Sequence, residues 1–259
     1  MKKTKLCMAG MLAAALILSM AFAACGPRAN PAKDFKRKAN DQGGITITGY
    51  VGQSQTVVIP GKLDGKPVTE IGGQAFGSGG GHPSLTSVII PNSVTKIEWY
   101  AFYSNLLASV TIGNSVTEIG PGAFFANQLT SVTIPDSVIA IGEDAFSGNQ
   151  LTSVTIGNSV TSLDGFAHNQ LTSVTIPDSV TEIRKGAFSN NQLTSITIGS
   201  NVSIASTVAH TRDRWGYTIT EGVEGSFGSR SFENLYNNGG KQAGTYTRPD
   251  TDSADWTRQ

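Results

Sequence analysis

Catalysis needs nucleophiles, bases or metal ligands gathered at workable spacings, and this sequence spreads them thinly. His82 sits in a glycine-rich stretch, His168 at a recurring corner and His210 in an irregular tail, and no two have metal-ligand spacing. Serines are abundant, but each recurs at a fixed slot, so none stands out as a nucleophile with its own base. The carboxylates Glu118, Asp136, Asp178 and Glu182 likewise fall on repeating positions, and nothing selects a pair. Gly61-Lys62 and Gly240-Lys241 lack the glycine spacing of a phosphate loop. No catalytic residue, no metal and no cofactor is therefore expected. The exception is Cys25, whose surroundings point to acylation.

Lys2, Lys3 and Lys5 precede an apolar run, Met11 to Phe22, which ends in the small pair Ala23-Ala24 before Cys25. That is the order of an export signal, and about a dozen apolar residues fall short of the ~20 that cross a bilayer as a permanent helix. Phe22-Ala23-Ala24-Cys25 resembles the lipobox of bacterial lipoproteins, in which the signal is cleaved before the cysteine and the cysteine is lipidated; Phe22 stands where leucine is usual. Cys7, the other cysteine, lies inside the signal. The processed chain would carry one cysteine at its first position, with no internal disulfide and no cysteine-based metal site. More than one acyl chain would anchor it stably in a membrane. Past residue 24, 16 basic residues face 19 acidic ones. A slightly acidic surface argues against a nucleic-acid partner.

The rest of the chain is organised by repetition. Leu85-Thr-Ser-Val-Ile-Ile-Pro91 recurs as Leu107-Ala-Ser-Val-Thr-Ile-Gly113, Leu129-Thr-Ser-Val-Thr-Ile-Pro135, Leu151-Thr-Ser-Val-Thr-Ile-Gly157, Leu171-Thr-Ser-Val-Thr-Ile-Pro177 and Leu193-Thr-Ser-Ile-Thr-Ile-Gly199, at steps of 22, 22, 22, 20 and 22 residues. The short step comes from a two-residue deletion that turns Ile-Gly-x-x-Ala-Phe into Leu163-Asp-Gly-Phe166. Alternation in Ser-Val-Thr-Ile predicts a short strand with Val132 and Ile134 inward and Ser131 and Thr133 outward. Proline or glycine ends it and Asp136-Ser137 turns the chain. A second segment carries Val138 and Ile141 inward, and Ala145-Phe146 closes the coil in a helical or 3-10 turn. Asn127, Asn149, Asn169 and Asn191 recur just before the next leucine, as a stacked amide ladder satisfying backbone groups would require. One repeat has too little apolar surface to offset the entropy of ordering it, so the units must stack. The fold class expected is a β-rich leucine-rich-repeat solenoid with terminal caps.

The serial Leu-x-x-Val-x-Ile-Pro and Val-x-x-Ile-Gly-x-x-Ala-Phe blocks from Leu85 to about Ile204 resemble the leucine-rich repeats of treponemal repeat proteins and BspA-like surface proteins. That resemblance implies an exported protein, and some members act as adhesins for host matrix proteins or other microbes. The family's corner cysteine is asparagine here.

Five domains follow: a lipoprotein signal peptide at 1–24, a polar tether at 25–42, an N-terminal cap and degenerate repeat at 43–84, the solenoid at 85–204, and a C-terminal aromatic cap at 205–259. Asp64-Gly65 suggests a hairpin tip, and Thr245–Arg248 with Asp255–Arg258 a second hairpin. Phe232–Asn237 reads as a short amphipathic helix. In the tail, Trp215, Tyr217, Phe227, Phe232, Tyr236, Tyr246 and Trp256 would cover the last coil. Outward side chains form two columns, Ser109, Ser131, Ser153, Ser173 and Ser195 beside Thr111, Thr133, Thr155, Thr175 and Thr197. This regular hydroxyl array is the candidate binding face, set against the plainer reading that Ser and Thr simply suit exposed strands. Trp99-Tyr100, Phe125, the deletion near His168 and the aromatic tail are further contact sites. The expected function is a lipid-anchored, surface-exposed protein that contacts a protein or glycan on a host or bacterial surface. A periplasmic lipid-anchored scaffold is the alternative, and an enzyme the remote one.

Overall fold

A computed structural model describes residues 27–200, 202–204, 232, 236, 239–249 and 256–259. The signal segment, Cys25, Trp215, Tyr217, Phe227 and most of the stretch 205–238 lie outside the described residues.

Each coil makes two short strands, and stacking turns them into two rows. The front row comprises Thr56–Val58, Ser87–Ile89, Ser109–Thr111, Ser131–Thr133, Ser153–Thr155, Ser173–Thr175 and Ser195–Ile198. The back row runs Ile45–Tyr50, Lys66–Ile71, Lys96–Ile97, Glu118–Ile119, Ala140–Ile141, Ser162–Leu163, Glu182–Ile183 and Ser203–Ile204, paired in parallel throughout. Ala145-Phe146 closes its coil as a turn, not as the helical or 3-10 turn expected. Ala145 N–H bonds back to Gly142 O and Ser147 N–H to Asp144 O, but Phe146 N–H between them goes to Gly165 O of the next coil at 2.7 Å, so the rungs are not consecutive and no helix forms. The one helical segment within residues 27–200 is the 3-10 turn Ala32–Asp34.

Between the rows, identical side chains stack upon themselves. Phe76, Phe102, Phe124, Phe146, Phe166 and Phe188 form a column with centroids 4.9–5.5 Å apart and rings within 18° of parallel. The deletion leaves this column intact because Phe166 keeps its place while the Ala turn before it is lost. Leu85, Leu107, Leu129, Leu151, Leu171 and Leu193 form a second buried column.

The corner asparagines bind backbone on both sides of each step. Leu129 N–H donates to Asn149 Oδ1 at 3.0 Å, while Asn149 Nδ2 donates to Phe124 O at 3.0 Å and Phe146 O at 2.9 Å. Asn127, Asn169 and Asn191 repeat the pattern, and Asn105 adds a rung that its altered context, Ser-Asn-Leu-Leu, concealed in the sequence.

Part of the segment read as tether is structured. Phe35–Ala39 pairs antiparallel with Ile45–Tyr50, and Phe35 packs at 5.5 Å on Tyr50 and 6.3 Å on Phe76. The run Phe-Lys-Arg-Lys looked polar, yet its one apolar side chain covers the end of the phenylalanine column while Lys36 and Lys38 face water and Arg37 pairs with Asp64 at 2.7 Å. Asp64 and Gly65, at φ 52° and 77°, form the tip of a hairpin between Lys62–Leu63 and Lys66–Ile71. At the other end Gly244–Thr247 pairs antiparallel with Ser195–Ile198 and with Thr257–Arg258. Phe232 and Tyr236, the two described residues of 232–237, are helical and buried, and Tyr236 Oη donates to Gly199 O at 2.6 Å.

Candidate functional site

The serine and threonine columns project outward as spaced, and their side chains from Ser109 to Thr175 are exposed. Ser195 and Thr197 are half-buried, because the C-terminal strand lies beside them and Thr197 Oγ1 meets Thr245 Oγ1 at 2.9 Å. The array is also not one sheet. Strand pairing joins Ser109–Thr111 to Ser87–Ile89, Ser131–Thr133 to Ser153–Thr155, and Ser173–Thr175 to Ser195–Ile198, but the two intervening steps have none.

Those gaps fall where a glycine-ended strand is followed by a proline-ended one, whereas the proline-ended Thr56–Val58 and Ser87–Ile89 still pair. Ile134 N–H points to the next coil and bonds Thr155 O at 2.8 Å, so Pro135 points to the previous one and has no N–H to offer it. Glycine does the opposite: a Cβ at Gly113 or Gly157 would overlap the carbonyl of Pro91 or Pro135, so these coils press close. From Leu85 onward, coils therefore associate as proline–glycine pairs. At each seam a valine is left half-buried, Val110 and Val154, where Val132 and Val174 are buried. The first seam opens as a cleft of about 400 Å³ between Ala108–Asn114 and Ser131–Pro135.

A different surface departs more sharply from the repeat. Where neighbouring coils carry Ile71-Gly-Gly-Gln, Ile119-Gly-Pro-Gly and Ile141-Gly-Glu-Asp, one coil has Ile97-Glu-Trp-Tyr100. Trp99, Tyr100 and Tyr103 are exposed, and they run together: Trp99 to Tyr100 at 6.3 Å, Tyr100 to Tyr103 at 5.4 Å, and Tyr103 stacked on Phe125 at 5.9 Å. Tyr100 has φ 51°, a left-handed conformation that Gln74, Gly122, Asp144 and Gly186 occupy in the same slot of other coils. A tyrosine there costs roughly 1–2 kcal/mol that glycine would not. Burial, then the charges of Asp144 and Glu143, push its phenol pKa up.

The other groups singled out in the sequence stay apart. His168 is exposed at a positive-φ corner, its Nε2 3.2 Å from Asn190 Nδ2, and the His82 ring packs tilted against Tyr50 at 5.5 Å. Asp164, within the deletion, accepts Gly165 N–H at 2.7 Å, and burial raises its pKa to about 6. Its sequence context gave no hint of this, because the shortened coil carries the carboxylate inward.

The model of the BspA-type leucine-rich-repeat region matches in six copies, over residues 55–169 and 164–237. No curated protein matches the chain. Among solved structures, a leucine-rich cell surface protein of Faecalibacterium prausnitzii is similar at 30% identity and TM-score 0.50, over 71% of this chain and 58% of that one. The pneumococcal vaccine antigen PcpA aligns at 24% identity and TM-score 0.54, over 67% of this chain and 50% of its own. The leucine-rich-repeat protein of T. pallidum aligns at 27% identity and TM-score 0.49, over 63% of this chain and 78% of that one. The chain thus spans about half to three-quarters of the structures it resembles.

Proposed function

Because this chain belongs to the BspA-type leucine-rich-repeat family, a family of protein-interaction repeats, we propose that it is a bacterial surface lipoprotein whose front face contacts a protein or glycan on another surface. The observation that carries this reading is where the solenoid spends its polar groups. Inside, asparagines and backbone satisfy one another, leaving a rigid frame; outside, the hydroxyls of Ser131, Thr133, Ser153 and Thr155 stand exposed at 22-residue intervals. Side chains held at strand spacing suit an extended partner better than a small reacting molecule. Affinity would concentrate at the two seams, where Val110 and Val154 add partly uncovered apolar surface to the hydroxyl rows.

Lipidation of Cys25 would supply the anchor, and Asn30, whose N–H donates to Val58 O while its Oδ1 accepts Val58 N–H, leaves about four residues between lipid and fold. Cys25→Ala should abolish acyl-chain labelling and release the protein from membranes. Protease treatment of intact cells should remove the chain from the surface. Resistance on intact cells with digestion after lysis would instead support the inward-facing scaffold.

A further inference from the structure

Trp99 borders a cleft of about 470 Å³ at the N-terminal end of the back row, away from the hydroxyl columns, and within the range of small-ligand sites. The indole is set by its neighbours: a Cβ at Gly73 would lie 2.5 Å from Trp99 Cε2, so the ring rests where the preceding coil has no side chain. It is nevertheless 45% exposed. The opposite walls are polar. Glu70 uses Oε2 to accept Thr46 Oγ1 at 2.6 Å, and Glu98 uses Oε2 to accept Gly73 N–H at 2.9 Å. Both carboxylates are thereby oriented, and Oε1 of each has no hydrogen-bond partner among the described residues. Lys38 and Gln42 line the same cleft and supply donors.

We infer that this cleft binds a neutral saccharide, with a sugar ring lying on Trp99 and its hydroxyls bonded to Glu70 and Glu98. The chemistry selects that class. A pyranose with mainly equatorial hydroxyls has C–H groups on its faces, which suit the negative face of an indole, and a rim of hydroxyls that both donate and accept. Fixed acceptors beside free donors match such a rim, whereas an anion would meet three carboxylates, Asp41 being the third. A quaternary ammonium needs an aromatic cage, but Trp99 is the single aromatic wall here, and Lys38 adds a like charge. Tyr100, Tyr103 and Phe125 continue from Trp99 as an aromatic strip across two coils, long enough for further rings of an oligosaccharide. The strip also gives Tyr100 a role in a left-handed slot where other coils carry glycine or the polar Gln74 and Asp144.

This site is separate from the front face, so the two proposals fail independently. The test is calorimetric titration of the full chain with N,N′-diacetylchitobiose, cellobiose, lactose and choline. Saturable binding of at least one disaccharide is expected below about 50 mM, weakened ~10-fold or more by Trp99→Ala and several-fold by Glu98→Gln, and unchanged by Gln150→Ala at an exposed corner. Because Trp99 is exposed and Glu98→Gln keeps an oxygen that can accept Gly73 N–H, melting curves of these variants should stay close to the parent. Absence of disaccharide binding overturns the inference, as does binding that survives Trp99→Ala. Choline binding lost in Glu70→Gln, with no disaccharide bound, would reassign the cleft to cations.

Discussion

Replacing Asn149 by alanine perturbs the corner ladder at its centre, and the structure sets the size of the effect. The change leaves Leu129 N–H without its acceptor, a buried donor worth roughly 1–3 kcal/mol when orphaned. The two carbonyls served by Asn149 are less exposed to loss. Phe124 O is also reached by Asn127 Nδ2 at 3.1 Å, and Phe146 O by Asn169 Nδ2 at 3.1 Å, so each keeps one bond. Losing half of each pair adds about 0.5–1 kcal/mol apiece, for a total near 2–5 kcal/mol. Sharing makes the rungs dependent on one another. The double variant Asn127→Ala/Asn149→Ala strips Phe124 O of both donors, so it should cost more than the two singles summed, by roughly 1 kcal/mol or more. Urea unfolding followed by far-ultraviolet circular dichroism measures all three, with exposed Gln150→Ala as the control, expected within about 0.5 kcal/mol of the parent. Amide exchange should localise the loss to Leu129. If Asn149→Ala behaves like Gln150→Ala, or if the double variant is simply additive, the ladder does not hold the coils together as argued.

Phe146→Ala removes one ring from the middle of the column and should cost roughly 3–5 kcal/mol, with two unfolding phases in place of one if the solenoid parts there. Gly157→Ala forces a methyl into the Pro135 carbonyl and should destabilise by about 1–3 kcal/mol, while Gly186→Ala, whose nearest atom is 3.7 Å away, suffers only from its φ of 75°. Asp164 has a folded pKa of about 6, above its value of 3.8 in water, so the folded state binds the extra proton between these limits. Stability should therefore fall as pH rises from about 4 to 6, by up to roughly 2–3 kcal/mol, and Asp164→Asn should flatten the slope. A parent profile that is flat over this range would refute the burial of that charge.

The solenoid was legible because its signal is redundant: five copies of Leu-x-x-Val-x-Ile and a sixth with Ile196 for the valine state the inward face repeatedly, and a two-residue deletion leaves the phase intact. The asparagine ladder was legible for the same reason, Asn105 excepted, where Leu106 replaces the usual glutamine. What escaped depended on relations between coils. The proline–glycine alternation was visible, but where it would break the front row depends on the register between coils, which no single repeat states. Phe35 was hidden among lysines and an arginine, since a single apolar residue makes no pattern. The cleft at Trp99 was flagged only as an irregular dipeptide. Glu70, from the coil before, and Gln42, from the capping segment, complete it, and no local spacing links them.

The claim that function lies on the outside of this frame is tested most directly by adhesion. Cells displaying the parent chain, a front-face variant carrying Thr133→Arg and Thr155→Arg, and Trp99→Ala would be applied to immobilised extracellular matrix and to a bacterial lawn, with surface levels equalised by antibody. The parent should adhere above cells bearing Cys25→Ala, and the front-face variant should lose most of that adherence while melting like the parent. Adherence that is no greater than for Cys25→Ala cells, or that survives both arginines, would contradict the account.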